Sequence, residues 1–269
     1  MKILKPGMYY GVEHSILNQA GLILSEYQYE TPETDWHYHE NPYFMYVLQG
    51  KLMDINRKGR SYCPGGSLIF HNWQETHRNT KESRQARGFH IEFSKAWFEE
   101  RRLTESLWEG SSLLSDPRLH QTVAHIFFEF RCRDRYSSLA LEALVLQLCT
   151  EVEAREFTIG SKEPAWVAQF RQLVQEEMPD CSLLALSECL GVHPVHLSRS
   201  LPKYLKTTLG DYIRREKIRK ALGFFGDPGY SLSEITYLCG FADQSHFTRT
   251  FRLYFGEPPG VYRKEFLKD

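Results

Sequence analysis

The chain has 269 residues, of which 42% are hydrophobic, and its 33 basic and 34 acidic residues leave a formal net charge of -1. This length favours two domains over one. No run approaches the roughly 18 apolar residues of a membrane span, and the first residues lack the apolar stretch of a signal peptide, so a cytoplasmic protein without a membrane partner is predicted. The six cysteines form no C-x-x-C pair, which argues against a disulfide framework and a cysteine-rich zinc site.

Short β-branched and aromatic runs fill residues 21–93 and are separated by turn signals such as Gln49-Gly50 and Pro64-Gly65-Gly66. Regularly spaced short strands with such turns are typical of antiparallel all-β architectures. The sequence therefore predicts an N-terminal antiparallel β-barrel or sandwich.

From Trp97 onward the apolar residues recur at helical spacing, which predicts two packed helices. The first helix presents Leu119, Val123, Ile126, Phe127 and Phe130, and the second presents Leu141, Leu144, Val145 and Leu148. This apolar surface exceeds what one barrel edge needs, so we expect a homodimer formed by residues 117–154. The alternative is that these faces pack within the chain.

Apolar periodicity is lost over residues 153–163, where Gly160 and Ser161 precede Pro164. Such a stretch indicates a linker. We therefore expect a domain over residues 1–155, a linker over 156–163 and a second, all-α domain over 164–269.

An internal near-repeat marks this second domain. Leu197, Arg199 and Leu201 follow Gly191 at nearly the same spacing at which Phe247, Arg249 and Phe251 follow Gly240. In each copy an apolar-patterned helix ends at glycine, whose tolerance of positive φ permits a sharp turn into the next helix. The repeat therefore predicts two helix-turn-helix units.

Local signals support these helices. Ser231 and Glu234 have the spacing of a capping box, and Pro194 suits the first turn of the helix after Gly191. Between the units, Leu209–Phe225 predicts a linker helix about 25 Å long at 1.5 Å per residue. A spacer of that length could place two recognition helices in successive major grooves, about 34 Å apart.

Basic residues concentrate around this linker helix. Residues 199–220 carry eight Lys and Arg against two acidic residues. A solvated helix face would explain the run equally well from charge alone. Between the two helix-turn-helix units, however, it becomes a candidate phosphate-binding surface, and Lys217 and Arg219 are expected to contact phosphate rather than bases.

The run GFADQSHFTRTFRLYFGEPPGVYR (residues 240–263) resembles the AraC/XylS family of bacterial transcription regulators. HPVHLSRSLPKYL (193–205) and DYIRREKIRKAL (211–222) stand where that family has its first recognition helix and its linker helix. The resemblance covers roughly residues 163–266. It implies a double helix-turn-helix domain that binds double-stranded promoter or operator DNA.

The resemblance implies a set of DNA-contacting positions in both units: Val195, His196, Ser198, Arg199, Lys203, Gln244, Ser245, His246 and Arg249. Their chemistry suits this role, because Arg can bond guanine bidentately and Gln can bond adenine. A surface salt bridge is the alternative for Arg199 and Arg249. The first unit departs from the family pattern at Pro202 and Lys206, and Pro202 should kink or end its helix near Leu201.

WHYHENPYFMYVLQG (36–50) and CPGGSLIFHNWQETH (63–77) are similar to the cupin-type sensing domain that many members of this family carry. His37 and His39 alternate onto one strand face, and His77 matches the later cupin histidine, so all three are expected in one interior. The carboxylate expected beyond the second histidine falls at Tyr43 or Phe44, and Glu40 comes too early. We therefore predict no metal ligand set and no cofactor, although three imidazoles could hold a metal.

An organic ligand pocket, or histidines that are simply hydrogen-bonded inside the barrel, is the alternative to a metal site. For an effector site we expect Trp36, His37, His39, Tyr46 and His77, with Tyr43 and Arg78 as further wall residues. Aromatic rings supply an apolar wall, and Arg can hold a carboxylate or phosphate.

Together these patterns predict an α+β chain with a cupin-like β-barrel, two following helices and a C-terminal all-α double helix-turn-helix. The function expected is that of a ligand-responsive regulator with DNA, a small-molecule effector and a second copy of the chain as partners, and RNA polymerase as a further candidate. Two alternatives are a cupin-type metal-dependent enzyme fused to a DNA-binding domain and a constitutive dimer controlled by a protein partner.

Overall fold

The structure is a computed structural model that describes residues 1–101, 110–159, 163–175 and 182–268. The order of its secondary-structure elements confirms the predicted α+β organisation, with mostly antiparallel strands first and helices after them. No helix in these ranges is long and apolar enough to cross a membrane. Strands begin earlier than predicted, and one lies beyond residue 97 in the part predicted to be helical.

Eleven strands form two sheets in the described part of the chain. They are β1 (Lys2–Leu4), β2 (Val12–Gln19), β3 (Leu22–Gln28), β4 (His37–His39), β5 (Tyr43–Gln49), β6 (Lys51–Asn56), β7 (Gly59–Pro64), β8 (Leu68–His71), β9 (His77–Lys81), β10 (Arg87–Phe93) and β11 (Ser111–Leu114). One sheet has the order β1-β4-β9-β6-β7 and the other β11-β8-β5-β10-β3-β2. Only the β1-β4 pair is parallel among these pairings. We call both sheets together the β-domain.

The four central strands of the six-stranded sheet, β3, β5, β8 and β10, are mostly buried on both faces, and the two faces differ in chemistry. On β10, Phe89, Ile91 and Phe93 belong to the large apolar core, whereas His90 and Glu92 alternate with them toward the other sheet. This division follows from strand geometry, because successive side chains of a strand point to opposite faces of the sheet. The space between the sheets is therefore polar at one end, and the apolar core lies outside it, under the helices.

Those helices are α1 (Lys95–Glu100), α2 (Pro117–Cys132) and α3 (Ser137–Ile159). The predicted pair α2 and α3 pack on each other, and the apolar residues named for them are buried except for Leu144, which is partly buried. The residues on which the homodimer rested thus pack within the chain. The homodimer stays a prediction, without the surface that motivated it.

Seven more helices follow in the described residues: α4 (Ala165–Gln175), α5 (Leu183–Leu190), α6 (Pro194–Leu205), α7 (Leu209–Phe225), α8 (Leu232–Leu238), α9 (Gln244–Phe255) and α10 (Pro259–Leu267). The predicted linker helix is α7, with the predicted bounds. We call α5 and α6 the first unit, and α8 and α9 the second unit. The predicted linker between domains is helical up to Ile159, and residues 160–162 lie outside the described residues.

The helix end predicted near Leu201 is wrong, because α6 continues past Pro202 to Leu205, whereas the alternative of a kink stays a prediction. A proline inside a helix costs one N–H bond and crowds the preceding turn. Here only one turn follows Pro202, and both Leu201 and Leu205 are buried in the core of the first unit. Burial of this apolar face maintains the helix across the missing bond.

The two units differ in what they pack against. The core of the second unit is continuous with that of the β-domain, and its rings lie on α2: His125 stacks on Phe255 at 4.6 Å and Phe128 on Tyr262 at 4.1 Å between centroids. The first unit has a core of its own, built around Phe170, Leu197 and Leu201. The second unit is therefore attached to the β-domain by apolar packing, and the first is not.

A buried ionic group reinforces this attachment. The Glu26 carboxylate of β3 is fully buried and accepts from Arg87 at 3.1 Å and from Arg131 of α2 at 2.7 Å. Arg87 also donates to the carbonyl oxygens of Phe266 and Lys268 at the end of α10. Removing one partner would leave a buried charge without compensation, so the group links sheet, α2 and α10 as a set.

Phe127 gives the test of this shared core, because its ring lies 5.1 Å from Phe89 of β10 and 4.7 Å from Phe266 of α10. Phe127→Ala should lower the free energy of unfolding by about 3–5 kcal/mol, the cost of a large cavity. Urea unfolding followed by circular dichroism measures it. The control is Leu139→Ala, since Leu139 is 72% exposed. Equal effects of the two substitutions would contradict the shared core.

Candidate functional site

The second unit is built by strong local signals. The predicted Ser231–Glu234 capping box is present at the start of α8, and Gly240, with φ +71°, follows the end of that helix. Asp243 then caps α9 by accepting from the His246 backbone N–H at 2.7 Å. These caps set the sharp turn that a helix-turn-helix requires.

The first unit uses the same devices. Ser182 caps α5, Gly191 ends it in the left-handed region at φ +62°, and α6 begins at Pro194, as predicted. The Ser187 hydroxyl donates to the Val192 carbonyl at 2.7 Å across the turn. Both turns thus follow from glycine and side-chain capping rather than from long-range contacts.

The predicted DNA-contacting side chains lie on the outer faces of α6 and α9. Val195, His196, Ser198, Arg199 and Lys203 are exposed on α6, and Gln244, Ser245 and Arg249 on α9, with His246 half-buried. Leu197 and Phe247 are buried on the opposite faces. Arg199 and Arg249 form no salt bridge within the described ranges, so the salt-bridge alternative finds no support.

The basic residues of α7 form hydrogen bonds and ion pairs within the protein. Lys217 donates to the Gly240 carbonyl at the turn of the second unit, and Arg219 bonds the buried Glu216 at 2.6 Å. Arg215 bonds Asp211 at 2.8 Å and Gln121 of α2 at 2.6 Å. These cations bond within the protein in this structure, and the expectation that Lys217 and Arg219 contact phosphate stays a prediction.

Asp211 joins the two units at the start of α7. It accepts from Arg215, from the Tyr254 hydroxyl of α9 at 2.7 Å and from Thr207 at 2.8 Å. Burial alone would raise the pKa of Asp211, but these hydrogen bonds lower it to about 2. The carboxylate is therefore charged at neutral pH and ties α9 to the loop that follows α6.

A cavity lies between the two sheets of the β-domain. Its walls are mostly aromatic, with Met45 and Leu52 as apolar lining and Asn79 and Lys81 as polar groups. The rings are those of Tyr9, Tyr10, Tyr29, His37, His39, Tyr43 and His90. Aromatic walls with a few polar groups are typical of a small-molecule site.

The three predicted histidines meet beside this cavity. One ligand atom from each of His37, His39 and His77 lies within 4.8 Å of the others, and all three side chains are buried. The imidazole rings of His37 and His77 are 4.3 Å apart between centroids. Pairing of β4 with β9, which sets His37 opposite His77, produces this convergence.

Hydrogen bonds define the tautomers of two of these rings. Nδ1 of His37 lies 2.7 Å from the Asp35 carbonyl and Nδ1 of His77 lies 3.0 Å from the Glu75 carbonyl. Because a carbonyl can only accept, each Nδ1 carries the proton and each Nε2 keeps a lone pair. The Tyr43 hydroxyl donates to Nε2 of His77 at 3.0 Å, and Nδ1 of His39 is buried without a hydrogen-bond partner among the described residues.

Burial keeps these imidazoles neutral. It lowers the pKa of His37 and lowers that of His39 and His77 well below the ordinary value, with neighbouring histidines adding to the effect. Burial also raises the pKa of Asp54, which lies 3.5 Å from His71, and of Glu92, which accepts from Tyr9 and Asn41. Neutral imidazole is the form that binds a metal ion.

The donor set fits a first-row divalent metal in chemistry. Bonds from Nδ1–H to backbone carbonyls are the supporting contacts that metal-binding histidines use. Three nitrogens around a tetrahedral metal at 2.0–2.1 Å would stand about 3.3 Å apart, so the rings would need to close on the ion. Glu40, the carboxylate considered from the sequence, is exposed.

Two residues predicted for the effector site, Trp36 and Tyr46, and the further wall residue Arg78 do not line the cavity. Trp36 is 41% exposed and carries Arg78 over its ring, so both lie outside the cavity walls. Tyr46 is buried on the opposite face of β5, in the core under the helices. Strand alternation explains this: Tyr43 and Tyr46 differ by an odd number of residues, and only Tyr43 faces the cavity.

Among the cavity residues that sequence reasoning missed are four with aromatic rings, namely Tyr9, Tyr10, Tyr29 and His90. His90 could have been found from its alternation with Phe89 and Ile91 on β10. The two N-terminal tyrosines carry no periodic signal. Tyr9 reaches the cavity by stacking on His90 at 3.6 Å between centroids and by donating to Glu92 at 2.9 Å.

His90 makes stability depend on pH. Burial lowers the pKa of His90 from 6.5 to about 3, and Nε2 of the neutral ring lies within hydrogen-bond distance, 2.8 Å, of the Tyr29 hydroxyl oxygen. The unfolded chain therefore binds one more proton between these pH values, so the free energy of unfolding falls by up to about 1.4 kcal/mol per pH unit on acidification. This contribution is complete above pH 6.5 and is lost toward pH 3.

His90→Gln should flatten the loss of stability between pH 7 and pH 5 by close to one proton, as measured by urea unfolding. The matched control is His14→Gln, because His14 is exposed on β2. If His90→Gln retains the wild-type slope, another group causes the pH dependence.

The helix-turn-helix domain family matches residues 186–265, from within α5 to within α10, so the match includes both units and the linker helix. The transcriptional regulator VirS of Mycobacterium tuberculosis is 36% identical over 83 residues, which cover 31% of this chain and 24% of VirS. The transcriptional regulator GlxA of Rhizobium meliloti is 28% identical over 105 residues, which cover 39% of this chain and 32% of GlxA.

Among solved structures, ToxT from Vibrio cholerae O395 aligns over 93% of this chain and 99% of its own, with 13% identity and a TM-score of 0.40. The chain spans about a quarter to a third of the length of the two curated relatives. The family match and the motif of residues 240–263 fall on the same helices as the two capped turns and the exposed faces. Residues 186–265 of this chain therefore form a helix-turn-helix domain.

Proposed function

We propose that the protein is a sequence-specific, DNA-binding transcription regulator whose β-domain responds to a small-molecule effector. The observation that carries this proposal is the pair of capped helix-turn-helix units with exposed hydrogen-bonding side chains on both α6 and α9. Recognition helices of this kind enter the major groove with their N-terminal residues against base edges.

The base-reading residues are assigned by chemistry and place. Gln244 and Ser245 stand in the first turn of α9, and Arg249 follows on the outward face. Gln pairs with adenine and Arg with guanine through two hydrogen bonds each. On α6, Arg199 takes the position equivalent to Arg249, with His196 and Ser198 beside it, and Val195 offers an apolar contact.

The effector site is assigned to the inter-sheet cavity. Its aromatic walls and the unpaired Nδ1 of His39 suit a small organic ligand with at least one hydrogen-bonding group. Binding rather than turnover is favoured, because Tyr43 occupies the sequence position of a cupin carboxylate and bonds His77. A cytoplasmic location, a homodimer and an RNA polymerase contact belong to the same proposal.

Arg249→Ala should weaken binding to a specific duplex by about 1–3 kcal/mol, because it removes a bidentate base contact, and should change binding to scrambled DNA much less. The specific duplex is obtained by selection from a random pool with the full-length protein. Binding isotherms on both duplexes measure the difference.

The matched control is Arg252→Ala, one turn later on α9, where the side chain is also exposed. It lies near the helix C-terminus, away from the base edges, so its loss should weaken both duplexes alike and flatten the salt dependence by about one unit of log slope. If Arg249→Ala behaves like Arg252→Ala, Arg249 contacts phosphate and does not read a base.

A metal ion is the second candidate effector, favoured by the convergence of His37, His39 and His77. These neutral rings would hold a divalent transition metal through Nε2 of His37, a ring nitrogen of His39 and Nε2 of His77, which the Tyr43 hydroxyl would have to release. The metal would supply a positive charge at the site. This alternative also includes the fused cupin-type enzyme, for which stoichiometric metal is the requirement.

His39→Gln tests it. After equilibration with cobalt(II) and removal of excess metal, the full-length protein should retain about one ion per chain and melt at a higher temperature, and His39→Gln should lose both properties. His71→Gln, a buried histidine outside the trio, should retain them. Elemental analysis and thermal melting give the readouts. Equal retention by wild type and His39→Gln, or none by wild type, would remove the metal candidate.

A further inference from the structure

The linker helix α7 meets the β-domain backbone to backbone at four glycines. Gly65 and Gly66, in the turn between β7 and β8, lie against Gly223 of α7, and Gly226 at the end of α7 lies against the Leu48 carbonyl of β5. We call these four residues the glycine seam. A Cβ on Gly223 would stand 2.5 Å from the Gly65 carbonyl oxygen, and one on Gly226 would stand 2.2 Å from that of Leu48.

These distances require displacement of backbone, because no side chain is available to move aside. The seam is continuous with apolar packing, since Ile218, Ala221, Leu222 and Phe225 of α7 are buried in the core shared with the β-domain. Gln121 of α2 adds a polar attachment by donating to the Tyr254 carbonyl and accepting from Arg215. The β-domain thus holds the helix that joins the two units.

The same strand borders both the cavity and the seam. On β5, Tyr43 and Met45 line the cavity, whereas Tyr46 and Leu48 face the core that contains α7. The β7–β8 turn is tied to this strand, because the Gly66 N–H donates to the Val47 carbonyl at 2.7 Å. A shift of β5 caused by a ligand in the cavity therefore reaches α7 through one strand.

The β-domain does not mask the reading faces in this structure, and it holds the two units differently. The reading faces of α6 and α9 are exposed. The second unit is joined to α2 through ring stacking, whereas the first unit has a separate core. Between α2 and the first unit lies a polar cleft, with Arg118 bonded to Asp116 and Arg171 bonded to Glu163 on its walls.

We propose that the β-domain controls DNA binding through the glycine seam, by holding α7 and the second unit at a defined position relative to the first unit. This inference rests on the proposed function and names its regulation. Both recognition helices then bind, as a preorganised pair, a DNA site with one half-site for each unit, which we call a two-half site. Opening the seam leaves each reading face intact and removes the contribution of the β-domain to their relation, while α7 and the Asp211 contacts remain.

Gly223→Ala in the full-length protein tests the proposal, with Gly210→Ala as matched control. Both glycines lie in α7, but a Cβ at Gly210 would meet only the Arg214 side chain, at 3.4 Å. Gly223→Ala should weaken binding to the selected two-half duplex by about fivefold to a hundredfold, the usual range of coupling between sites. Gly210→Ala should bind as wild type does.

Duplexes with one half scrambled separate the possible outcomes. Their weaker binding should be unchanged by Gly223→Ala, because each reading face is intact. Amide hydrogen exchange over the β7–β8 turn and α7 should show that the seam has opened. A wild-type protein that selects no sequence refutes the proposed function, whereas wild-type selection with equal binding by the two glycine variants refutes only the seam.

A folded, seam-open Gly223→Ala protein that binds the two-half duplex as tightly as wild type, or more tightly, overturns the inference. So does an equal loss on the half-scrambled duplexes. If Gly223→Ala does not fold, Gln121→Ala decides, because it removes the α2 attachment without a steric clash. It should then weaken two-half binding and spare half-scrambled binding, and wild-type behaviour on both overturns the inference.

Discussion

The packing of α2 between the six-stranded sheet and the second helix-turn-helix unit is the interaction on which the rest of this structure depends. One face of α2 covers Phe89 and its neighbours, and the same helix supports Phe255, Tyr262 and Phe266 through aromatic contacts. Because interiors are packed like crystals, a displacement on one side of such a helix is felt on the other. The β-domain and the helix-turn-helix region therefore share α2 as a common packing element.

Because of this arrangement, the fold does not need an apolar core in the space between the sheets. The outer face of the six-stranded sheet supplies the apolar core, so the inner space can contain five buried histidines and two buried carboxyl groups. Buried polar groups are costly unless they are hydrogen-bonded. Most of these groups have partners among the described residues, and Nδ1 of His39, Nε2 of His71 and Nδ1 of His90 are buried without a hydrogen-bond partner there.

Local rules predicted the helical domain well and the β-domain only in outline. The bounds of α7, the capping box at Ser231 and the turn at Gly191 depend on neighbours in sequence, so they could be read directly. Tyr46 was misplaced because strand register, which decides the face, comes from long-range pairing. For Lys217 and Arg219, charge along the helix did not reveal that both side chains bond within the protein, Lys217 at the turn of the second unit and Arg219 to Glu216 of the same helix.

The shared core also has a consequence for synthesis. The face of α2 that carries His125, Phe127 and Phe128 is covered by residues 255–266, which are translated more than 120 residues later. Translation at about 5–20 residues per second leaves this aromatic face bare for many seconds on the ribosome. The N-terminal part therefore emerges with an exposed aromatic surface on α2. Correct folding depends on α10 covering this surface before another molecule binds to it.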